Sequence, residues 1–298
     1  MVCAFAALLA GSAPTAQAQD TAAQEAAHHA AVLARLPGDA AQRWFGSATS
    51  PAPGTPRAIG GYSKGCLVGA TALPQDGPYW QTMRPSRNRT WGHPLLIGFL
   101  ERFAATAAGI AQWPGLLVGD IGQPRGGPML TGHASHQIGL DADLWLTPMP
   151  VRRLSAAERD EIAATNLVAA DGHDVDAAVW RPSHRKLLET AARSPDVARI
   201  FVNAAIKRAL CREAGADRDW LRLIRPWWGH NYHFHLRLKC APSDPECLDQ
   251  AAPSAGDGCG ELAWWFTPEA LHPKPGPSRP PLRVADLPAA CAALAEGR

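Results

Sequence analysis

The sequence carries no Lys/Arg stripe, and its net charge is only +2. It therefore offers no electrostatic footprint for nucleic acid. HExxH is missing, which excludes the common zincin helix, and no G-x-S-x-G elbow is present. The H-x-E and P-C-x-x-C pair of the zinc deaminases is absent, as is any CxxC pair that would read as a zinc knuckle. No internal repeat appears. A Ser/His/Asp triad built on Ser135 has little to support it, because Ser135 directly precedes His136.

What the chain does contain is aromatic and punctuated. Eleven Trp and 27 Pro in 298 residues suggest a loop-rich protein pinned by large side chains, long enough to bury a real core. The opening run Val2–Ala16 is small and apolar. It falls short of the ~20 residues a span needs, and Gly11, Pro14 and Gln17 interrupt it. Ala16-Gln17-Ala18 is a small-x-small site, so residues 1–18 read as an export signal cleaved after Ala18. The missing basic n-region points to a start a few residues upstream. Cys3 would leave with the signal. Cys66, Cys211, Cys240, Cys247, Cys259 and Cys291 remain, an even set suited to an oxidising compartment. Sequence alone leaves their pairing open, although Cys240 and Cys247 are close enough to close a local loop.

Residues 19–56 form an N-terminal arm with a helical pattern from Ala22 to Leu36, and 57–298 form the main domain. The stretch Gly60–Arg89 reads as Gly/Pro-punctuated loop. A helix follows from Pro94, with Leu95, Leu96, Phe99, Leu100, Phe103 and Ile110 at helical spacing. Gly115–Gly119 is a short buried strand, and Ser155-Ala156-Ala157-Glu158 has the form of a capping box. Ser183–Arg193 is helical, Val197–Val202 strand-like, and Ala204–Ala214 helical again. This irregular alternation predicts an α+β fold.

Two stretches carry the chemistry. Along Leu140–Leu146, Leu140, Ala142, Leu144 and Leu146 share one face of a strand, while Asp141, Asp143 and Trp145 share the other. His133 and His136 lie on a turn just before it. In Tyr232–Leu238, Tyr232, Phe234, Leu236 and Leu238 are assigned to the core, and His233, His235 and Arg237 to the opposite face. Two acids on one face repel unless a cation sits opposite. With His230 just before the second stretch, five of the eleven histidines fall in these clusters, and burying so many titratable rings without a partner is costly. His136, Asp143 and His235 together supply two imidazoles and a carboxylate, leaving a fourth zinc position for water. Trp227 and Trp228 are candidates to wall the groove, and Arg125 and Arg237 to bind acidic groups.

The pairing His136-x6-Asp143 with His233-x-His235 resembles the signature of the lysostaphin, D-Ala-D-Ala peptidase and sonic-hedgehog metallopeptidase group. Within it, GHASHQIGLDADLW and WWGHNYHFHLRLKC are similar to the penicillin-insensitive murein endopeptidases, over about Gly60–Cys291. The resemblance implies a small antiparallel sheet with surrounding helices and long loops, stapled by the disulfides Cys66–Cys291, Cys211–Cys259 and Cys240–Cys247. It implies Zn2+ on His136, Asp143 and His235, with His133 as an additional ligand, His233 as general base and His230 as a second catalytic histidine. A second metal position is implied near Asp171, His173 and Asp174. The implied substrates are peptidoglycan stem peptides: D-alanyl–meso-diaminopimelyl cross-links, cut in the periplasm without inhibition by β-lactams and without a membrane span in the mature chain. Neighbouring readings are a D,D-carboxypeptidase or dipeptidase of the same group, a non-catalytic cell-wall-binding protein, and a small structural protein stapled by disulfides.

Overall fold

The computed structural model describes residues 17–274, 276 and 280–295. The predicted leader, 1–18, lies outside them except for its last two residues. The fold is α+β, organised on a seven-stranded sheet. In chain order its strands are β1 (Asp76–Gly77), β2 (Trp80–Thr82), β3 (Leu116–Val118), β4 (Asp141–Pro148), β5 (Val197–Val202), β6 (Ile224–Pro226) and β7 (His233–Leu238). Across the sheet the order is β6-β5-β7-β4-β3-β2-β1.

The central pairs β5/β7, β7/β4 and β4/β3 are antiparallel, as expected, but β6/β5 and β2/β3 are parallel. Each parallel pair is joined through a crossover helix, Ala204–Glu213 between β5 and β6 and Pro94–Ala111 between β2 and β3. A parallel neighbour requires such a connection. β2, β3 and β6 are three residues each, too short for a period of two to be read from sequence.

Alternation then divides the sheet into a dry face and a working face. Leu140, Ala142, Leu144, Leu146, Phe234, Leu236 and Leu238 join Leu96, Phe99, Leu100 and Phe103 of the Pro94–Ala111 helix in the main core. That helix is the one described segment long and apolar enough to cross a bilayer, and it spends its apolar face inside the protein. Pro94 opens it and His93 caps it, the Leu95 N–H donating to His93 Nδ1 at 3.2 Å. The Ser155/Glu158 capping box is formed, and the helix it starts, Ala156–Glu161, is a short one.

Gly60–Arg89 is more ordered than its punctuation suggested. Arg57–Gly61 and Lys64–Val68 form an antiparallel hairpin, and Thr71–Ala72 pairs with Trp91–Gly92. The hairpin packs on the short helix Ala41–Gly46 and the C-terminal helix Ala289–Ala295 through Phe45, Ile59, Val68 and Leu287. Disulfides join Cys66 to Cys291, Cys211 to Cys259 and Cys240 to Cys247, closing separations of 225, 48 and 7 residues.

A crosslink that closes a long loop removes the most freedom from the unfolded chain. Replacing Cys66 and Cys291 together with Ala is expected to lower unfolding stability by about 2–5 kcal/mol. The Cys240/Cys247 double replacement should cost less. Denaturant titrations of the two variants check the order.

Candidate metal centre

The two motif strands lie side by side. β4 and β7 pair antiparallel with His235 opposite Asp143, Arg237 opposite Asp141 and His233 opposite Trp145. The Leu146 N–H donates to the Tyr232 carbonyl and the Leu238 N–H to the Leu140 carbonyl. The backbone of Asp143 turns the other way, its N–H donating to the Asp120 carbonyl and its carbonyl accepting from the Gly119 N–H. Asp143–His235 and Asp141–Arg237 are therefore non-hydrogen-bonded pairs, in which facing Cα atoms approach to about 4.5 Å and side chains are closest.

His136 reaches the same point from the preceding loop. Its φ is +66°, an uncommon left-handed conformation for a residue with a side chain. The Asp141 carboxylate holds this turn, accepting the His136 backbone N–H at 2.9 Å. Gly139, at φ +70°, completes it: a Cβ there would stand 2.4 Å from Leu67 Cδ2 and 2.7 Å from the His93 backbone nitrogen.

Asp143 is the hub. Its Oδ1 lies 3.5 Å from His136 Nε2 and 3.5 Å from His235 Nδ1. Its Oδ2 lies 3.5 Å from His133 Nε2 and 3.6 Å from His233 Nε2. Ligand atoms of His133, His136 and Asp143 all fall within 4.8 Å of one another, the metal-competent group among the described residues. His136 Nδ1 contacts the Ile121 carbonyl at 2.6 Å and so carries the proton, which turns the Nε2 lone pair toward Asp143. His136 Nε2 and Asp143 Oδ1 are buried and have no hydrogen-bond partner. An unpartnered buried carboxylate oxygen facing an imidazole lone pair is unfavourable alone and fits a bound cation.

Buried charges surround the hub. Asp141 accepts Arg237 Nε at 2.7 Å and Nη2 at 3.1 Å, and its Oδ1 lies 3.0 Å from His235 Nε2. A carboxylate against one ring nitrogen of a histidine fixes the ring's orientation. Burial alone would raise the Asp141 carboxyl, but Arg237 and His235 hold it well below the usual carboxylate range. Burial likewise opposes ionisation of Asp143, and the surrounding His233, His133 and His136 outweigh it. Burial pushes His235 down to about 3 and His230 down to about 4, leaving both imidazoles neutral near pH 7. Asp120 was not singled out by any pattern, since it follows a three-residue strand. Its Oδ2 lies 3.0 Å from His133 Nε2 and 2.9 Å from Arg89 Nη1.

The remaining expected residues divide. His230, also left-handed at φ +52°, places its ring 4.8 Å from that of His233 and 6.0 Å from that of His235. Trp227 and Trp228 stand half exposed beside it and line a cavity with His133, His230 and His235. Tyr232 was assigned to the core. It is instead exposed and lines the cleft, because it precedes the strand and escapes its alternation. Arg237 was expected to meet acidic groups of a ligand. It is buried, with Asp141, Gln250 and the Tyr62 ring taking its guanidinium. Arg125 lines a different cavity, with Trp44 and Phe45. In the Asp171–Asp174 turn, Asp174 pairs with Arg212 at 2.8 Å and the His173 ring lies 6.1 Å from that of Phe266.

Asp141→Asn removes the charge behind His235 and weakens the support of the His136 turn. Loss of such a partner typically costs 10–100-fold in metal affinity. A competition titration against a chromophoric chelator is expected to show a decrease of about that size.

The chain matches the family described as penicillin-insensitive murein endopeptidase over residues 58–296. A relative of that name from Yersinia enterocolitica serotype O:8 / biotype 1B is 46% identical over 265 residues, 89% of this chain and 94% of the relative. One from Yersinia pestis bv. Antiqua (strain Antiqua) is 44% identical with the same coverage. One from Escherichia coli (strain K12 / DH10B) is 44% identical over 266 residues, again 89% and 94% of the two chains. With both strand motifs inside the matched region, the chain belongs to the penicillin-insensitive murein endopeptidase family.

Proposed function

We propose that the protein is a zinc-dependent murein endopeptidase of the periplasm that hydrolyses D-alanyl–meso-diaminopimelyl cross-links. The observation that carries this reading is the Asp143 carboxylate, ringed by four imidazoles at 3.5–3.6 Å with Oδ1 and His136 Nε2 unpartnered. His136, Asp143 and His235 are the zinc ligands and His133 an additional one. The same pattern of ligands groups the protein with the hedgehog and D-Ala-D-Ala peptidase type of fold. The Asp171, His173 and Asp174 turn is read as a polar surface turn, since Arg212 already neutralises Asp174.

Zinc held there would supply Lewis acidity and a water acidified toward pKa ~7. His233 is the general base: burial lowers its pKa against the opposing pull of Asp143, which keeps its imidazole neutral and able to take the proton at Nε2. It then returns the proton to the leaving amine. His230 donates Nδ1–H to the Trp228 carbonyl at 2.8 Å and, being neutral, offers Nε2 as an acceptor that orients the attacking water. Trp227, Trp228 and Tyr232 wall the groove that receives the stem peptide. A reaction whose nucleophile is water forms no acyl-serine, and β-lactams have no such step to trap. The leader through Ala18 is removed on export, residues 19–56 form an arm, and 57–298 are the peptidase domain. Three disulfides suit that oxidising compartment.

Digestion of purified sacculi with the zinc-loaded protein is expected to deplete cross-linked muropeptide dimers, and chelation should abolish this. Release of terminal D-Ala with dimers intact would favour a carboxypeptidase instead. His235→Ala should lose both bound zinc and hydrolysis. His233→Ala should retain zinc and lose at least about 100-fold in turnover, the usual contribution of a general base. Full activity in His233→Ala would overturn its role.

A further inference from the structure

Three arginines surround the metal-centre cleft, and they differ in what occupies them. Arg89 is buried and spends its donors on Asp120, the Thr131 carbonyl and Thr131 Oγ1. Arg84 is committed to the carbonyls of Arg159, Asp160 and Ile162. Arg87, at the end of the short turn Pro85–Arg87, keeps a third of its side chain exposed. It borders a cavity of about 320 Å³ whose walls include His133, Asp143 and His233.

Arg87 Nη1 lies 3.3 Å from Asp120 Oδ2, but that carboxylate is already matched by Arg89 and His133. Arg87 thus spends one donor, Nη1, on Asp120 and turns the rest of its guanidinium to the cleft. A carboxylate from another segment also lies near, that of Glu25, which pairs with His29 at 3.1 Å. The helix Gln17–Arg35 lies along the rim, and its Glu25 brings Oε1 to 3.8 Å from Arg87 Nε. Glu25 and Arg87 also share the walls of a second cavity with His133, His230 and His233. A carboxylate from outside the peptidase core thus already stands at the mouth of the site.

We propose that Arg87 is a specificity residue that reads a carboxylate on the leaving-group side of the scissile bond, and that Glu25 occupies this subsite when substrate is absent. The inference rests on the cross-link reading above. There, the carbon that bears the leaving amine also bears the free carboxylate at the D centre of meso-diaminopimelate. An anionic group thus lies two bonds from the scissile nitrogen. A planar guanidinium with unspent donors suits that group, and a charge-assisted contact discriminates against its neutral amide.

The test is binding, read without turnover. The probes are the tripeptide L-Ala-D-Glu-meso-diaminopimelate and its counterpart amidated only at the D-centre carboxylate. Calorimetric titration into the full chain is expected to show the acid binding roughly tenfold tighter, the scale of one hydrogen bond to a charged group. Arg87→Gln should erase that preference with little change for the amide, while Arg87→Lys keeps part of it. Glu25→Gln should tighten the acid alone. Equal binding of acid and amide by the unaltered protein would overturn the subsite. Equal weakening of both probes in Arg87→Gln would overturn it too, since Arg87 would then act through Asp120. Unchanged acid binding in Glu25→Gln would overturn the part given to Glu25. Sacculus digestion separates the two ideas. A binding preference without cross-link cleavage strikes the endopeptidase reading, and cleavage without preference strikes only the subsite.

Discussion

The contact on which everything else turns is the antiparallel seam between β4 and β7. Its register sets His235 against Asp143 and Arg237 against Asp141 in adjacent close pairs on one face. A slip of one residue would turn both pairs into the hydrophobic layer. The register is therefore fixed from behind, by Leu140, Leu144, Leu236 and Leu238, all essentially inaccessible to solvent. The apolar face chooses the alignment, and the polar face inherits a geometry it would resist on its own.

That division explains the order of events around the hub. Asp141 neutralises Arg237, leans on His235 and pins the His136 turn, so one carboxylate aligns three residues from β7 and the loop before β4. Asp143 is left with no strong donor for Oδ1, and its charge stays available. The two acids sit on the same strand face two residues apart and have opposite duties, one structural and one open. Polar groups whose hydrogen bonds are satisfied rigidify a site, and Asp141 is such a group here.

The seam itself was legible in the sequence, because β4 and β7 are long enough for strict alternation and the histidines interrupt it on one side only. The Pro94–Ala111 helix was legible for the same reason, with Pro at its first position and an apolar stripe on one side. What sequence could not reveal had no period to show. Three-residue strands gave no sign of the parallel flanks, and the role of Asp120 depends on Arg89 and His133, which lie on other loops. Tyr232 continued the alternation on paper but lies one residue before β7 begins. Arg237 was offered to the acidic groups of a ligand because no pattern marked Asp141 as its partner.

The bond between Cys66 and Cys291 gives the peptidase body a closed covalent circuit, running from the first hairpin to the last helix. A single backbone cut within that circuit opens the ring without dividing the molecule. Both pieces stay tethered, and the sheet can keep its strands in place. Such a ring turns a nick from a lethal event into a tolerable one.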